Sequence, residues 1–181
     1  MFMNKAVEHL KTINKHRRIV RKWCFKLGIP FRGLVHDLSK YSPKEFSIYK
    51  YYSGNRSPHD NARDELGYSP SWLYHRNRNK HHWEYWIDSF EQMNPMKIPY
   101  KYVIEMVADF IGAGQAYMKE KWTCKAPLEY HCKTVKNRKF HDKTLILFEM
   151  LLQELSELDV KDFVKWYKSK KKQIKKWYKE D

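Results

Sequence analysis

The sequence predicts an all-α protein built as a single helical domain, and three observations carry that prediction. Six glycines and seven prolines in 181 residues are few for a β-sandwich. Long stretches rich in Lys, Glu, Leu, Met and Tyr repeat their apolar residues every three or four positions, the period of an amphipathic helix. Ser-Pro pairs at Ser42-Pro43 and Ser69-Pro70 supply helix starts, with proline at the first helical position.

The 22.2 kDa chain is long enough to bury one core without staples, and nothing in it forces a second domain. Cys24, Cys124 and Cys132 are an odd number and form no CxxC pair, so neither a disulfide framework nor a cysteine zinc site is expected. No window approaches the roughly 20 apolar residues of a membrane span, and the N-terminus lacks the apolar run of a signal peptide. The expectation is a soluble cytoplasmic protein with no membrane partner. The net charge of +15 implies attraction to polyanions or phosphorylated small molecules. It is unevenly placed, since residues 159–181 hold nine lysines against four acids.

The first helix is expected over residues 4–27, stopped by Gly28 with Pro30 beyond. His16 shares a face with Ile13, Val20, Trp23 and Leu27 and points inward, and His9 lies almost on the same line. A second helix over 31–40 carries His36-Asp37. Ser42-Pro43-Lys44-Glu45 reads as a capping box that opens a third helix from 43 to about 52. A polar loop around 53–58 follows, and His59 reads as a solvated loop residue.

Ser69-Pro70 opens a fourth helix in which Trp72, Trp83, Trp86 and Phe90 form a core stripe. If that helix is continuous, His75 and His82 face one site together and His81 projects away; a break at Asn77 or Asn79 undoes this choice. Met93-Asn94-Pro95 and Pro99 bracket a turn before an apolar helix over 100–120 that embeds Asp109. Mid-helix, Asp109 cannot cap anything, and the nearby Gly112, Ala113 and Ala116 leave room beside it.

Helices over 127–137 and 142–156 come next, with Asp142 read as an N-cap and His141 outside the helix. The last helix, 159–178, sets Phe163, Tyr167, Ile174 and Tyr178 on one side and lysines around the rest. It is expected either to dock weakly on the body or to reach toward a partner. The chain thus divides into a helical domain, 1–158, and a basic C-terminal helix, 159–181.

The inward or edge-facing ionisable residues are His16, His36, Asp37, His75, His82 and Asp109, all on expected helices. Burying His36 and Asp37 side by side among Leu34, Val35 and Leu38 costs several kcal/mol unless each finds a partner. A divalent metal satisfies both at once, while a hydrogen bond between the pair satisfies them more modestly. Three or four imidazoles with two carboxylates suit one or two first-row ions. Nine histidines in one chain also supply such groupings by coincidence.

The sequence resembles the HD-domain metal-dependent phosphohydrolases at three places: His16 in HRRIV, His36-Asp37 in LVHDLSK and Asp109 in MVADFIGA. Ser39 stands where that family more usually has glycine. More closely, the chain is similar to an uncharacterised family of bacterial and phage proteins sharing HDLSK, SPKEF, NKHHWEYW and EM-x-x-D, all present between about residues 10 and 125. The resemblance implies an HD-like helical bundle with one or two divalent ions (Mn, Fe, Zn, Co or Ni, with Mg also admissible), held by His16, His36, Asp37, His75, His82 and Asp109.

It implies further that Asp37 bridges the ions, that Asn79 holds substrate or water, and that Lys40, Arg17 and Lys80 contact phosphate. Lys40 and Asn79 join Asp37 in the expected catalytic set. The expected function is hydrolysis of a phosphorylated, nucleotide-like small molecule, in the host cytoplasm if the chain is phage-encoded. The rival expectation is a non-catalytic module that binds nucleic acid or a partner protein through its basic tail, and an oligomer is compatible with either.

Overall fold

The computed structural model describes residues 2–54, 56–90 and 93–180. Nine α-helices account for most of them: α1 (Phe2–Lys26), α2 (Pro30–Val35), α3 (Pro43–Phe46), α4 (Pro58–Leu66), α5 (Pro70–Arg78), α6 (Tyr100–Met118), α7 (Ala126–Thr134), α8 (Asp142–Glu157) and α9 (Val160–Lys179). Among the described residues, the one β feature is a two-residue antiparallel pairing of Ile87–Asp88 with Asn94–Pro95. The protein is all-α, as its composition and periodicity require. Among the described residues, no helix is long and apolar enough to cross a membrane.

Helices α1, α6, α8 and α9 enclose the core. Val20, Trp23 and Leu27 from α1 meet Val103, Ile104, Val107 and Ile111 from α6, with Leu147, Phe148, Leu151, Leu152 and Leu155 from α8 behind them. The closest crossing is α1 on α6, where Gly112 replaces a side chain. A Cβ there would lie 2.4 Å from Val20 Cγ2 and 3.6 Å from His16 Nδ1. Gly112 therefore sets how near His16 comes to Asp109, three residues earlier on α6.

Helix α9 is fully docked. Phe163, Tyr167, Ile174 and Tyr178 belong to the same core, and the Tyr178 hydroxyl donates to the Ile98 carbonyl. Lys171 Nζ donates to the Leu27 and Gly28 carbonyls at 3.1 Å each, closing the end of α1 where Gly28 turns with φ +70°.

Several local expectations are corrected by tertiary contacts. The helix expected over 31–40 ends at Val35; His36 is its C-cap, and Asp37 adopts the left-handed region (φ 53°, ψ 27°) before a 3-10 turn over Leu38–Tyr41. Ser42 makes no side-chain cap, and the buried Glu45 turns to His75 instead of back to the helix start. His59, read as a solvated loop residue, lies on α4, and its Nδ1 hydrogen-bonds Ser69 Oγ at 2.9 Å. His141, not Asp142, caps α8, accepting from the Lys143 amide through Nδ1.

The tryptophan helix stops at Arg78, and Asn79 is extended (φ −114°, ψ 103°). A separate 3-10 turn carries Trp83–Trp86, and Phe90, expected in the core, is 91% exposed.

Candidate metal centre

The site forms where α1, the α2–α3 connection, the end of α5 and α6 meet. Asp37 is at its middle, 1% exposed, and its left-handed backbone divides its two oxygens between two sets of ligands. Oδ2 lies 3.5 Å from His16 Nε2 and 3.3 Å from His36 Nε2. Oδ1 lies 3.5 Å from both His75 Nε2 and His81 Nε2. Asp109 joins the first set, with Oδ1 at 3.0 Å from His16 Nε2 and 3.5 Å from His36 Nε2. His82 joins the second, its Nε2 at 2.8 Å from His75 Nε2.

Three groups of potential ligands have their donor atoms within 4.8 Å of one another: His36–His81–Glu105, and two larger ones, His16–His36–Asp37–Asp109 and Asp37–His75–His81–His82. The two larger groups share Asp37.

Two buried glutamates orient the imidazoles. Glu105, fully buried on α6, lies 3.1 Å from His36 Nδ1 and receives a bidentate Arg32 at 2.6 and 3.2 Å. Glu45 lies 2.8 Å from His75 Nδ1 and accepts from Ser39 Oγ. A carboxylate facing Nδ1 fixes the orientation of each ring and leaves its Nε2 turned toward Asp37.

That arrangement tests whether a cation fits. His36 Nε2 stands 3.3 Å from His16 Nε2, and His75 Nε2 is equally close to His82, with the Asp37 and Asp109 carboxylates between them. Neither Asp37 oxygen nor either His81 nitrogen has a hydrogen bond of good geometry, although all four atoms are buried. Lys40 Nζ, 2.7 Å from Asp37 Oδ2, is the one lysine or arginine ion-paired to Asp37 or Asp109 among the described residues. Converging imidazole nitrogens and buried carboxylates fit a divalent ion, and these groupings can hold one.

Electrostatics hold the side chains ready. Burial opposes ionisation of Asp37, but the charges of His36, Lys40 and His75 outweigh it and hold its carboxyl well below the usual range. Asp109 behaves alike, with hydrogen bonds from His16 and His36 overcoming burial. Burial keeps His82 and His75 below the ordinary histidine value, whereas the Asp37 charge and hydrogen bonds to Asp109, Asp37 and Glu105 overcome burial and hold His36 well above it, so an ion bound there would displace a proton. Glu105 is lowered to about 2 despite burial, through His36, His81 and Arg32.

The structure brings together His16, His36, Asp37, His75, His82, Asp109 and Lys40 of the residues singled out in the sequence. It separates three others. Arg17 is occupied by backbone, donating to the His36 carbonyl at 2.7 Å and the Leu34 carbonyl at 3.1 Å. Asn79 donates to Ser39 Oγ and the His75 carbonyl, bracing the site from behind. Lys80 is exposed over the Tyr85 ring. His81, expected to point away, faces the centre because the helix breaks before it. Glu45 and Glu105 were not singled out; Glu105 shares the helix face of Asp109 four residues on, a spacing that marks it in the sequence.

The centre opens onto a cavity of about 680 Å³. His16, Lys40, His75, His81, His82 and Asp109 form its metal-facing wall. Trp72, Phe110, Tyr117 and Tyr130 supply aromatic surface, and Arg63 and Arg138 add positive charge. The Arg138 guanidinium lies 4.8 Å from the Phe110 ring centroid and 5.5 Å from that of Tyr130.

No curated protein and no solved structure shows significant similarity to this chain. A family model does match, over residues 5–154, which hold every residue of the centre just described. The chain belongs to DUF5662, a family of unknown function.

Proposed function

We propose that this protein is a metal-dependent phosphohydrolase of the HD type, acting on a phosphorylated, nucleotide-like small molecule. The observation that carries this reading is Asp37, a buried carboxylate shared by two histidine-rich groups at the wall of a cavity large enough for a nucleotide. The order of the first group along the chain, His16, His36-Asp37 and Asp109, is that of the HD signature.

In this reading His16, His36, Asp37 and Asp109 hold one ion, and Asp37 with His75, His81 and His82 holds a second. Such ions supply Lewis acidity toward a phosphoryl oxygen and toward water when bound. Lys40, beside Asp37 and lining the cavity, offers its ammonium to the phosphoryl oxygens and neutralises charge that develops on them. Arg63 and Arg138 carry the charge complementarity outward, and Trp72, Phe110 and Tyr130 offer faces on which a base stacks. Glu105 and Glu45 orient the rings of His36 and His75 through Nδ1.

Metal analysis of the purified protein followed by a screen of nucleotides and cyclic dinucleotides with added Mn²⁺ tests this. The expected result is one to two bound equivalents and turnover of at least one phosphate ester, both lost in His36→Ala and reduced in His81→Ala. His141→Ala, at the α8 cap, keeps both. A metal-loaded protein that hydrolyses nothing in the screen overturns the hydrolase, and full metal content in His36→Ala overturns the centre.

A further inference from the structure

Helix α9 lies beyond the matched residues 5–154, and its two faces have separate explanations. Phe163, Tyr167, Ile174 and Tyr178 are accounted for by the core. The lysines are not. Lys171 closes α1, but Lys161, Lys165, Lys168, Lys172, Lys175 and Lys179 are all exposed. Their spacings alternate between four and three residues, so at about 100° per residue they fall in a stripe roughly 80° wide. At 1.5 Å per residue the stripe is about 27 Å long.

Among the described residues, its only ion pair is Lys165 with Asp162, on the helix's own first turn. No α9 residue lines the cavity. The stripe therefore serves neither packing nor direct contact with a molecule in the candidate centre.

We propose that this lysine stripe is a docking surface for the phosphate backbone of a double-stranded nucleic acid, without sequence readout. A duplex advances roughly 3.4 Å per base pair, so a rod of lysines about 27 Å long spans about eight base pairs, with phosphates of both strands bordering the groove it lies along. Flexible four-carbon stems absorb the mismatch between lysine and phosphate spacing. The stripe carries no aromatic residue on which unpaired bases would stack, which favours a duplex over a single strand. Insertion into a membrane surface requires an apolar helix face, and on α9 that face is spent in the core.

The test uses the full chain and a fluorescein-labelled duplex DNA of arbitrary sequence, with affinity measured by anisotropy across a salt series. Counterion release from six contacts gives log K against log salt a slope of roughly −5. The variant carrying Lys161→Gln, Lys168→Gln, Lys172→Gln and Lys175→Gln should lose roughly three to four of that slope while keeping its melting temperature. The same four positions changed to arginine should restore it. An equal change in net charge made elsewhere, with Lys44, Lys50, Lys133 and Lys136 all changed to glutamine, should leave the slope in place. The proposal is overturned if the wild type does not bind the duplex, if the two glutamine variants lose slope equally, or if the stripe variant loses binding to phosphatidylserine vesicles but not to DNA.

Discussion

The residue that most sharpens the centre is Glu105. A fully buried carboxylate in the middle of an apolar helix is costly unless its charge is used on every side, and here Arg32 and His36 take its oxygens. Its effect on His36 is to fix the ring's orientation through Nδ1 and raise the basicity of Nε2. Glu105→Gln keeps the shape and the acceptor but removes the charge, so metal affinity measured by calorimetric titration into metal-free protein should fall by about 10- to 100-fold. The metal-free melting temperature should move far less than in Glu105→Ala, which leaves Arg32 without its partner and should cost about 3–5 kcal/mol. Unchanged affinity in Glu105→Gln would remove this glutamate from any role at the centre. His16 and Asp109 were legible because each interrupts an apolar helical face; Glu105 escaped because a glutamate within a helix looks ordinary until the face it occupies is followed to Asp109.

At the scale of elements, α1, α6, α8 and α9 were legible in the sequence because each sustains a 3.6-residue apolar period over four turns or more. The elements that position His75, His81 and His82 were not. Asn79 leaves the helix because its side chain finds Ser39 and the His75 carbonyl, contacts more than thirty residues away in one case and visible only once the chain is folded. The turn at Asp37 has the same origin, since Arg17 gathers the carbonyls of Leu34 and His36 and ends α2 early. What the periodic helices do determine is the distance between His16 and Asp109, through Gly112. Gly112→Ala forces α1 away from α6 at Val20, an overpacking change that should cost about 1–3 kcal/mol. It should also weaken metal binding beyond that loss, because His16 moves with α1 while Asp109 stays on α6. Metal affinity equal to wild type in a folded Gly112→Ala protein would show that the centre tolerates a shift between these helices.

For the whole molecule, the question is whether α9 is an appendage, as its position outside the family match invites, or part of the fold. The sequence set four large residues opposite its lysines and left open whether the helix docks weakly on the body or reaches toward a partner. Those residues decide the matter. Burying a large apolar side chain contributes about 1.5–3 kcal/mol, so Phe163, Tyr167, Ile174 and Tyr178 together approach the roughly 5–15 kcal/mol by which a domain is stable at all. Their removal also strips the cover from Trp23 and Tyr100, and it frees the Leu27 and Gly28 carbonyls that Lys171 closes. A chain ending at Glu157 should therefore lose its cooperative thermal transition and, with it, the alignment of α1 and α6 that brings His16 to Asp109. Circular dichroism melting and metal analysis of the truncated chain check this, and a sharp transition with full metal content would mean that residues 1–157 fold without α9. Charge neutralisation along the lysine stripe should leave both measurements intact, because those side chains face solvent and the helix that carries them stays in the core.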